Sequence, residues 1–369
     1  MRPLLKRIER HFPEELVAHV KHHWLSVAFV LGFVMDNLTL NNVEQLFDVL
    51  ILLAYIIISM VSLFAIYAAM AGRLPERLAH YARQYAPFLI QYAYGGLLSG
   101  MLIFYGRSGA WTQSWPYLLI IIGGVAGNEL LKDRTGRFLY NITIFFIGLF
   151  SYVVLMIPVF TGYMGAWVFV GSGVLALVIM IGFIRILQFV IPNFLTLHMK
   201  ALIFTIGSIF AVFNFLYFAN LIPPIPLSLK DVGIYHSVVR FEDGTYQLTY
   251  EDGRWWQFTK RSDTVFHPTQ TDTIYCFASV FTPTRLHTEI YHSWEYYDTA
   301  QKKWVEYARL SYPIAGGRNN GYRGYTLIEH YQDGKWRCSV ETARGQVLGR
   351  ETFTVDSTES PGALTTRNE

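Results

Sequence analysis

The stretch ANLIPPIPLSLKDVG, residues 219–233, is where the character of the chain changes. Pro223, Pro224 and Pro226 cannot continue an α-helix, so the apolar helix that enters this stretch must end in it. The prolines make a short, fairly stiff connector. From Tyr235 onward the apolar period falls to about two residues, the period of strands. The composition changes at the same place. Residues 1–226 hold 14 Lys+Arg and 9 Asp+Glu, whereas residues 227–369 hold 16 and 18. The chain as a whole is 52% hydrophobic and 15% charged, with mean hydropathy +0.28. An ordinary soluble domain is about 25% charged, which the second part approaches and the first does not. A membrane domain followed by a β-rich domain fits this division. Two cysteines and a net charge of +3 exclude a small disulfide scaffold and a strongly basic nucleic-acid binder.

Upstream of the connector, seven apolar stretches are each long enough to cross a hydrocarbon core of about 20 helical residues. They lie near 24–41, 46–70, 86–106, 115–131, 138–160, 163–184 and 201–222. Residues 1–23 precede them as a cytoplasmic amphipathic N-terminus. There Leu4, Leu5, Ile8, Phe12, Leu16 and Val20 recur among Lys6, Arg7, Arg10 and Lys21, as in a helix on anionic lipid or a plain solvated one. No cleavable signal peptide is visible. With the N-terminus in the cytoplasm, the inner segments carry 13 basic residues, and the short outer loops carry only Arg107. By the positive-inside rule, seven spans then place residues 227–369 outside, in the periplasm of a bacterial inner membrane.

All 11 histidines fall outside the spans and no lysine lies within one. A bis-His haem or a retinal Schiff base inside the bundle is therefore excluded, and no cofactor is expected. Ionisable groups sit only near the span ends. Asp36, Glu44 and Asp48 gather at the outer end, while Asn128 and Glu129 lie close to Lys132, Arg134 and Arg137 at the inner end. The inner polar cluster Asn128, Glu129, Arg134 and Arg137 either forms a site for an anionic group or is a helix end where Glu129 neutralises its arginines. Gly96/Gly100 and Gly123/Gly127 have the small-residue spacing that lets helices approach closely.

Downstream, candidate strands run over 233–240, 245–250, 254–260, 273–282, 287–297, 303–312, 322–331, 335–343 and 346–354. Asp-Gly pairs at 243–244, 252–253 and 333–334 punctuate them as hairpin turns do. The expected architecture is a seven-helix membrane bundle (24–226), then an all-β antiparallel, immunoglobulin-like sandwich (227–355), then a disordered tail (356–369). Alternation puts Cys276 on one face with Ile274, Ala278 and Val280, and Cys338 on one face with Trp336 and Val340. Both cysteines point to the core. They are either a disulfide, which an oxidising compartment permits, or two buried thiols. Without a CxxC or HxxxH pattern, no metal site is expected.

From about residue 273 to 354 the pattern resembles a known family. It runs Tyr275–Phe277, His292-x-Trp294, Gly316-Gly317-Arg318, Gly321-Tyr322-Arg323-x-Tyr325, Gly334-Lys335-Trp336-Arg337, Gly345-Gln346 and Leu348-Gly349-Arg350, before Phe353. This is similar to the domain of unknown function 2914 family, over about 80 residues. The resemblance implies a β-sandwich at the outer face of a bacterial membrane, joined to an uncharacterised multi-helix domain similar to the family numbered 5924. It implies no reaction, substrate or catalytic residue.

Among the signature residues, Trp336 and Phe353 read as core. His292, Arg318, Arg323 and Tyr322 read as a ligand site for a sugar, carboxylate or phosphate, or as residues bracing loops. No GxSxG, HExxH or phosphate-binding glycine loop is present, which weighs against an enzyme. Two functional classes follow. The first is an envelope protein whose outer domain binds a glycan or a periplasmic protein partner, with the bundle as anchor or signal route. The second is an integral-membrane enzyme or carrier for a lipid-linked or anionic envelope precursor. The partners expected are the lipid bilayer and that glycan or protein, not nucleic acid, since the outer part carries net negative charge.

Overall fold

The computed structural model describes residues 34–35, 46–107, 115–120, 123, 138–252, 261–268, 273–316 and 321–369. The chain divides into a helical unit and a β unit, the latter taking in residues 217–369.

Five helices long and apolar enough to cross a membrane occur among the described residues, where the sequence predicted seven. They are α1 (Leu46–Met70), α2 (Glu76–Arg107), α3 (Phe138–Thr161), α4 (Ala166–Val190) and α5 (Pro192–Phe218). The predicted spans at 24–41 and 115–131 fall largely outside the described residues, as does the amphipathic N-terminus. Glycine ends α1 and α3: Gly72 and Gly162 take φ of 66° and 74°, a left-handed conformation that favours glycine. Only Ile191 separates α4 from α5. Pro192 then opens α5, a position where its missing N–H costs nothing.

The helices pack through aromatic rings set against glycines. The Phe150 ring lies 5.9 Å from that of Phe169 on α4, and 6.1 and 4.6 Å from those of Phe210 and Phe213 on α5. Gly173 leaves room for two of these rings. The other faces of α4 and α5 carry bare apolar side chains. Trp167 is 90% exposed, Phe189 84%, Leu197 80% and Phe204 77%. Apolar area of that extent suits lipid rather than water.

The β unit is mostly antiparallel and forms three sheets, ordered β1-β5-β8, β4-β10-β9-β6-β7 and β11-β3-β2. Its strands are β1 (Ser228–Tyr235), β2 (Ser237–Arg240), β3 (Tyr246–Glu251), β4 (Val265–Phe266), β5 (Ile274–Phe281), β6 (His287–Asp298), β7 (Lys303–Ala315), β8 (Tyr322–Ile328), β9 (Gly334–Thr342), β10 (Val347–Val355) and β11 (Leu364–Asn368). One strand pair, β10 with β4, is parallel.

The immunoglobulin-like two-sheet sandwich expected from the sequence is thus replaced by three sheets. The reason lies in β5, IYCFASVF, which is apolar on both faces. Ile274, Cys276, Ala278 and Val280 share cores with Trp294, Trp336, Cys338, Val340 and Phe353 of the five-stranded sheet. On the opposite face Phe277 joins Tyr235, Val238, Tyr246 and Leu248, so the third sheet covers a surface that two sheets would leave in water. Burying each large side chain contributes roughly 2 kcal/mol. Cys276 and Cys338 form a disulfide between β5 and β9, with Cα atoms 6.6 Å apart.

Two further expectations are corrected. The strand predicted over 233–240 is two strands divided at His236. The C-terminal residues, expected to be disordered, end in β11, which pairs with β3 through five residue pairs, Leu364↔Glu251 to Asn368↔Gln247. Arg367 secures that strand by ion-pairing with Asp231 and donating to the Tyr235 hydroxyl. Such a tail has no apolar face of its own, so its order depends on β3. The strand predicted over 254–260 lies outside the described residues.

Candidate binding face of the five-stranded sheet

Of the sequence-predicted ligand residues, His292, Tyr322 and Arg323 are among the described ones. His292 is wholly buried. Trp294 Nε1–H donates to Thr326 Oγ1 at 3.0 Å, and Thr326 Oγ1 lies 3.0 Å from His292 Nδ1. His292 Nε2 lies 3.1 Å from the Tyr312 hydroxyl. In one consistent set of protons, Thr326 donates to Nδ1 and Nε2–H donates to Tyr312. Burial pushes the imidazole down to about 3, so the ring stays neutral. His292 is therefore a hydrogen-bonded part of the core. Tyr322 packs against a core cluster, and Arg323 is half-buried with its carbonyl accepting from the Tyr246 hydroxyl at 3.3 Å. Arg318 lies outside the described residues, as do Asn128, Glu129, Arg134 and Arg137. Asp48 is buried on α1.

The structure instead assembles a polar and aromatic face on the second sheet. Along β6, even-numbered Ile290, His292 and Trp294 turn into the core, so Tyr291, Ser293, Glu295 and Tyr297 turn away from it. The same alternation on β9 sends Arg337, Ser339 and Glu341 outward opposite Trp336, Cys338 and Val340. The β6–β7 hairpin is set by Asp298, whose Oδ1 accepts from the backbone N–H of Ala300 and Gln301 at 2.8 and 3.0 Å. That turn brings Trp304 opposite Tyr297 and Arg309 opposite Ser293.

The result is a tiling of rings and paired charges. Arg337 Nε and Nη2 each donate to a Glu295 carboxylate oxygen at 2.6 Å. The guanidinium also lies over the Trp304 ring, 4.3 Å from its centre, and Tyr297 meets that ring at 5.3 Å. Farther along the same strands, Arg309 lies 4.4 Å from the Tyr291 ring centre. Its Nε is 3.8 Å from Glu341, and its Nη2 donates to the Thr342 carbonyl at 3.2 Å. Arg350 donates to Ser339 Oγ at 2.8 Å. Burial pushes the Glu341 carboxyl above its ordinary value against the pull of Arg309, and holds Arg350 below its own. With Arg337 and Arg309 each set beside a carboxylate, the face shows rigid planar groups and both donors and acceptors.

Sequence reasoning quoted Arg337 and Arg350 without assigning them a site and passed over Tyr291, Glu295 and Arg309. The signal was present: polar and aromatic residues at the odd positions of 287–297, against Ile290, Trp294 and Tyr296 at even ones. For metal chemistry, Cys276, His292 and Cys338 lie within 4.8 Å of one another, but the two sulfurs are bonded together.

These features define a candidate multi-pass membrane protein with a β-rich C-terminal region. Within that region, residues 287–355, spanning β6 to β10, match the family described as "Protein of unknown function (DUF2914)". The match does not extend into the helical unit. No curated protein matches the chain. Among solved structures, "Pseudomonas fluorescens alkylpurine DNA glycosylase AlkC bound to DNA containing an abasic site analog" is similar at 13% identity, covering 81% of this chain and 78% of that one. Its TM-score of 0.20 is too low for the likeness to bear on the fold.

Proposed function

We propose that this protein is a membrane-anchored envelope binding protein whose β unit recognises a neutral glycan on the outer face of its five-stranded sheet. The observation that carries this reading is the Glu295–Arg337–Trp304 group beside Tyr297. A sugar offers apolar C–H faces and a ring of hydroxyls. Aromatic rings stack on the former, and a fixed carboxylate–guanidinium pair donates to and accepts from the latter. Because the charges are already paired, a polyanion gains little there. The inner-membrane placement, with a cytoplasmic N-terminus and a periplasmic β unit, is supported by 13 basic residues on the inner segments against one outside. The Cys276–Cys338 bond supports it too, since such bonds persist in oxidising compartments.

The test is titration of the full-length protein in nanodiscs with fragments of envelope polysaccharide, followed by tryptophan fluorescence. Saturable binding that Trp304→Ala weakens at least tenfold is expected. Binding by no fragment, with crosslinkers placed at Tyr297 trapping a protein instead, would overturn the glycan reading. A fusion of alkaline phosphatase after residue 369 should be active, as the enzyme folds only outside the cytoplasm.

A second reading, an integral-membrane enzyme or carrier for a lipid-linked or anionic precursor, is favoured by one feature of the helical unit. A cavity of about 500 Å³ is lined by Tyr67, Arg73, Phe138, Asn193 and Phe194, among others, and so combines aromatic walls with one cation. Unaltered function in Arg73→Gln would remove that reading.

A further inference from the structure

Four side chains from separate segments converge at one end of the third sheet. His236 stands at the junction of β1 and β2, Glu251 ends β3, Asp263 precedes β4 and His267 follows it. His236 Nε2 is 3.2 Å from Glu251 Oε1 and 3.6 Å from Asp263 Oδ2. One ligand atom from each of the three lies within 4.8 Å of the others. Their side chains are nearly removed from water, at 3% exposure for His236, 7% for Glu251 and 0% for Asp263.

Two readings compete for such a group. In the first, it is a hydrogen-bonded cluster. The Nε2–H of His236 then serves Glu251 at 3.2 Å and faces Asp263 at 3.6 Å. In the second, Nε2 offers its lone pair to a cation that both carboxylates share. Metal bonds of about 2.0–2.1 Å in a tetrahedron set neighbouring ligand atoms roughly 3.3 Å apart. The observed 3.2 and 3.6 Å bracket that edge. Two carboxylates and a neutral imidazole also balance a charge of +2.

The surrounding groups are those that orient ligands. Asp263 accepts the Glu251 backbone N–H on Oδ1 at 2.9 Å, which directs Oδ2 to the side of His236. His267 Nδ1 lies 2.9 Å from both Glu251 oxygens, and its backbone N–H donates to Oε1 at 3.0 Å. The His236 ring stacks on Phe266, with centres 4.2 Å apart and planes 20° apart. Such outer partners fix the ligand atoms before an ion arrives.

We propose that His236, Glu251 and Asp263 bind a divalent transition ion of the zinc class, with His267 as a positioning residue that orients Glu251. A mixed imidazole and carboxylate set favours zinc or a neighbouring first-row ion over calcium or magnesium, which prefer oxygen alone. The ion ties β4 to the strands of the third sheet. β4 is only two residues long and has two ladder pairs, with Thr354 and Val355 of β10, so the ion supplies what its own hydrogen bonds cannot.

The experiment uses the full-length chain in detergent micelles with a tag free of histidine, stripped with chelator and dialysed against micromolar zinc. One equivalent of zinc per chain, together with a zinc-dependent rise in Tm, is expected. Asp263→Asn and His236→Gln should each weaken retention at least tenfold and abolish the rise in Tm. His267→Gln should weaken it by about 10 to 100-fold, the usual range for an orienting partner. Wild-type protein that is folded yet retains no zinc overturns the site, as does equal retention by Asp263→Asn. Retention of calcium or magnesium in preference to zinc overturns the assigned ion class.

Discussion

Arg337 and Glu295 form a two-point ion pair, with both guanidinium-to-carboxylate hydrogen bonds at 2.6 Å and both side chains only 16% exposed. Most ion pairs on a protein surface contribute little, because water screens them. This pair is shielded by the Trp304 ring, so losing one partner strands the other. Arg337→Met should therefore destabilise the β unit by about 2 kcal/mol, and Glu295→Gln by a similar amount. The double variant should lose less than the sum of the two, since it leaves no unpaired charge. Thermal unfolding followed by tryptophan fluorescence measures all three.

The disulfide gives a second expected outcome. Cys276 and Cys338 are 62 residues apart in sequence, and their bond joins two different sheets. Closing a loop of that length in the unfolded chain contributes about 4 kcal/mol on the chain-entropy model. Cys276→Ala with Cys338→Ala should lower stability by up to that amount. Denatured but unreduced wild-type protein should take up no maleimide, and reduction should expose two thiols.

In the helical unit, two glycines leave room for a neighbour but differ in what fills the space. A Cβ at Gly96 would meet ring atoms of Tyr55 at 2.4 Å, and one at Gly148 would meet Leu97 Cδ2 at 2.1 Å. An aromatic ring cannot fold away from the clash, whereas the tip of a leucine can rotate. Gly96→Ala should therefore cost about 1–3 kcal/mol and Gly148→Ala clearly less, although its contact is the closer one. Tm values of the two variants in one detergent decide the order.

These particulars show where sequence was readable. The triple-proline connector announced the change of period, and alternation placed Cys276, Cys338, Trp336 and Phe353 in the core, where each is buried. Alternation also carries the outer face, but those residues look like ordinary solvated positions until the β6–β7 register sets Trp304 beside Tyr297. The third sheet was illegible for a different reason. An apolar strand such as β5 announces burial on two faces but does not say what covers the second. The covering strands are short, and β11 is polar. The cluster at His236 was hidden by distance along the chain. Its members stand singly at 236, 251 and 263, without the fixed spacing by which a helix reveals a metal motif. His292 stayed open between a ligand and a brace because a polar residue in a strand suggests a surface, and only the contacts with Thr326 and Tyr312 show how a core accepts it.

That core histidine sets a pH dependence. Its ordinary value of 6.5 holds in the unfolded chain, and burial brings it to about 3 in the folded one. Between these values the unfolded chain binds a proton that the folded chain does not. Stability due to His292 is thus fully present above pH 6.5 and declines as pH falls toward 3. At 1.36 kcal/mol per unit the total is on the order of 5 kcal/mol. Glu351 acts in the opposite sense, because burial raises its carboxyl from 4.5 to about 6, so its contribution improves as pH falls through that window. Comparing wild type with His292→Gln separates the two, since glutamine keeps a hydrogen-bonding side chain but cannot titrate. The difference in Tm between the proteins should be constant above pH 7 and should shrink steadily from pH 6.5 to 4. An unchanging difference across that range would show that the imidazole takes up a proton as readily folded as unfolded.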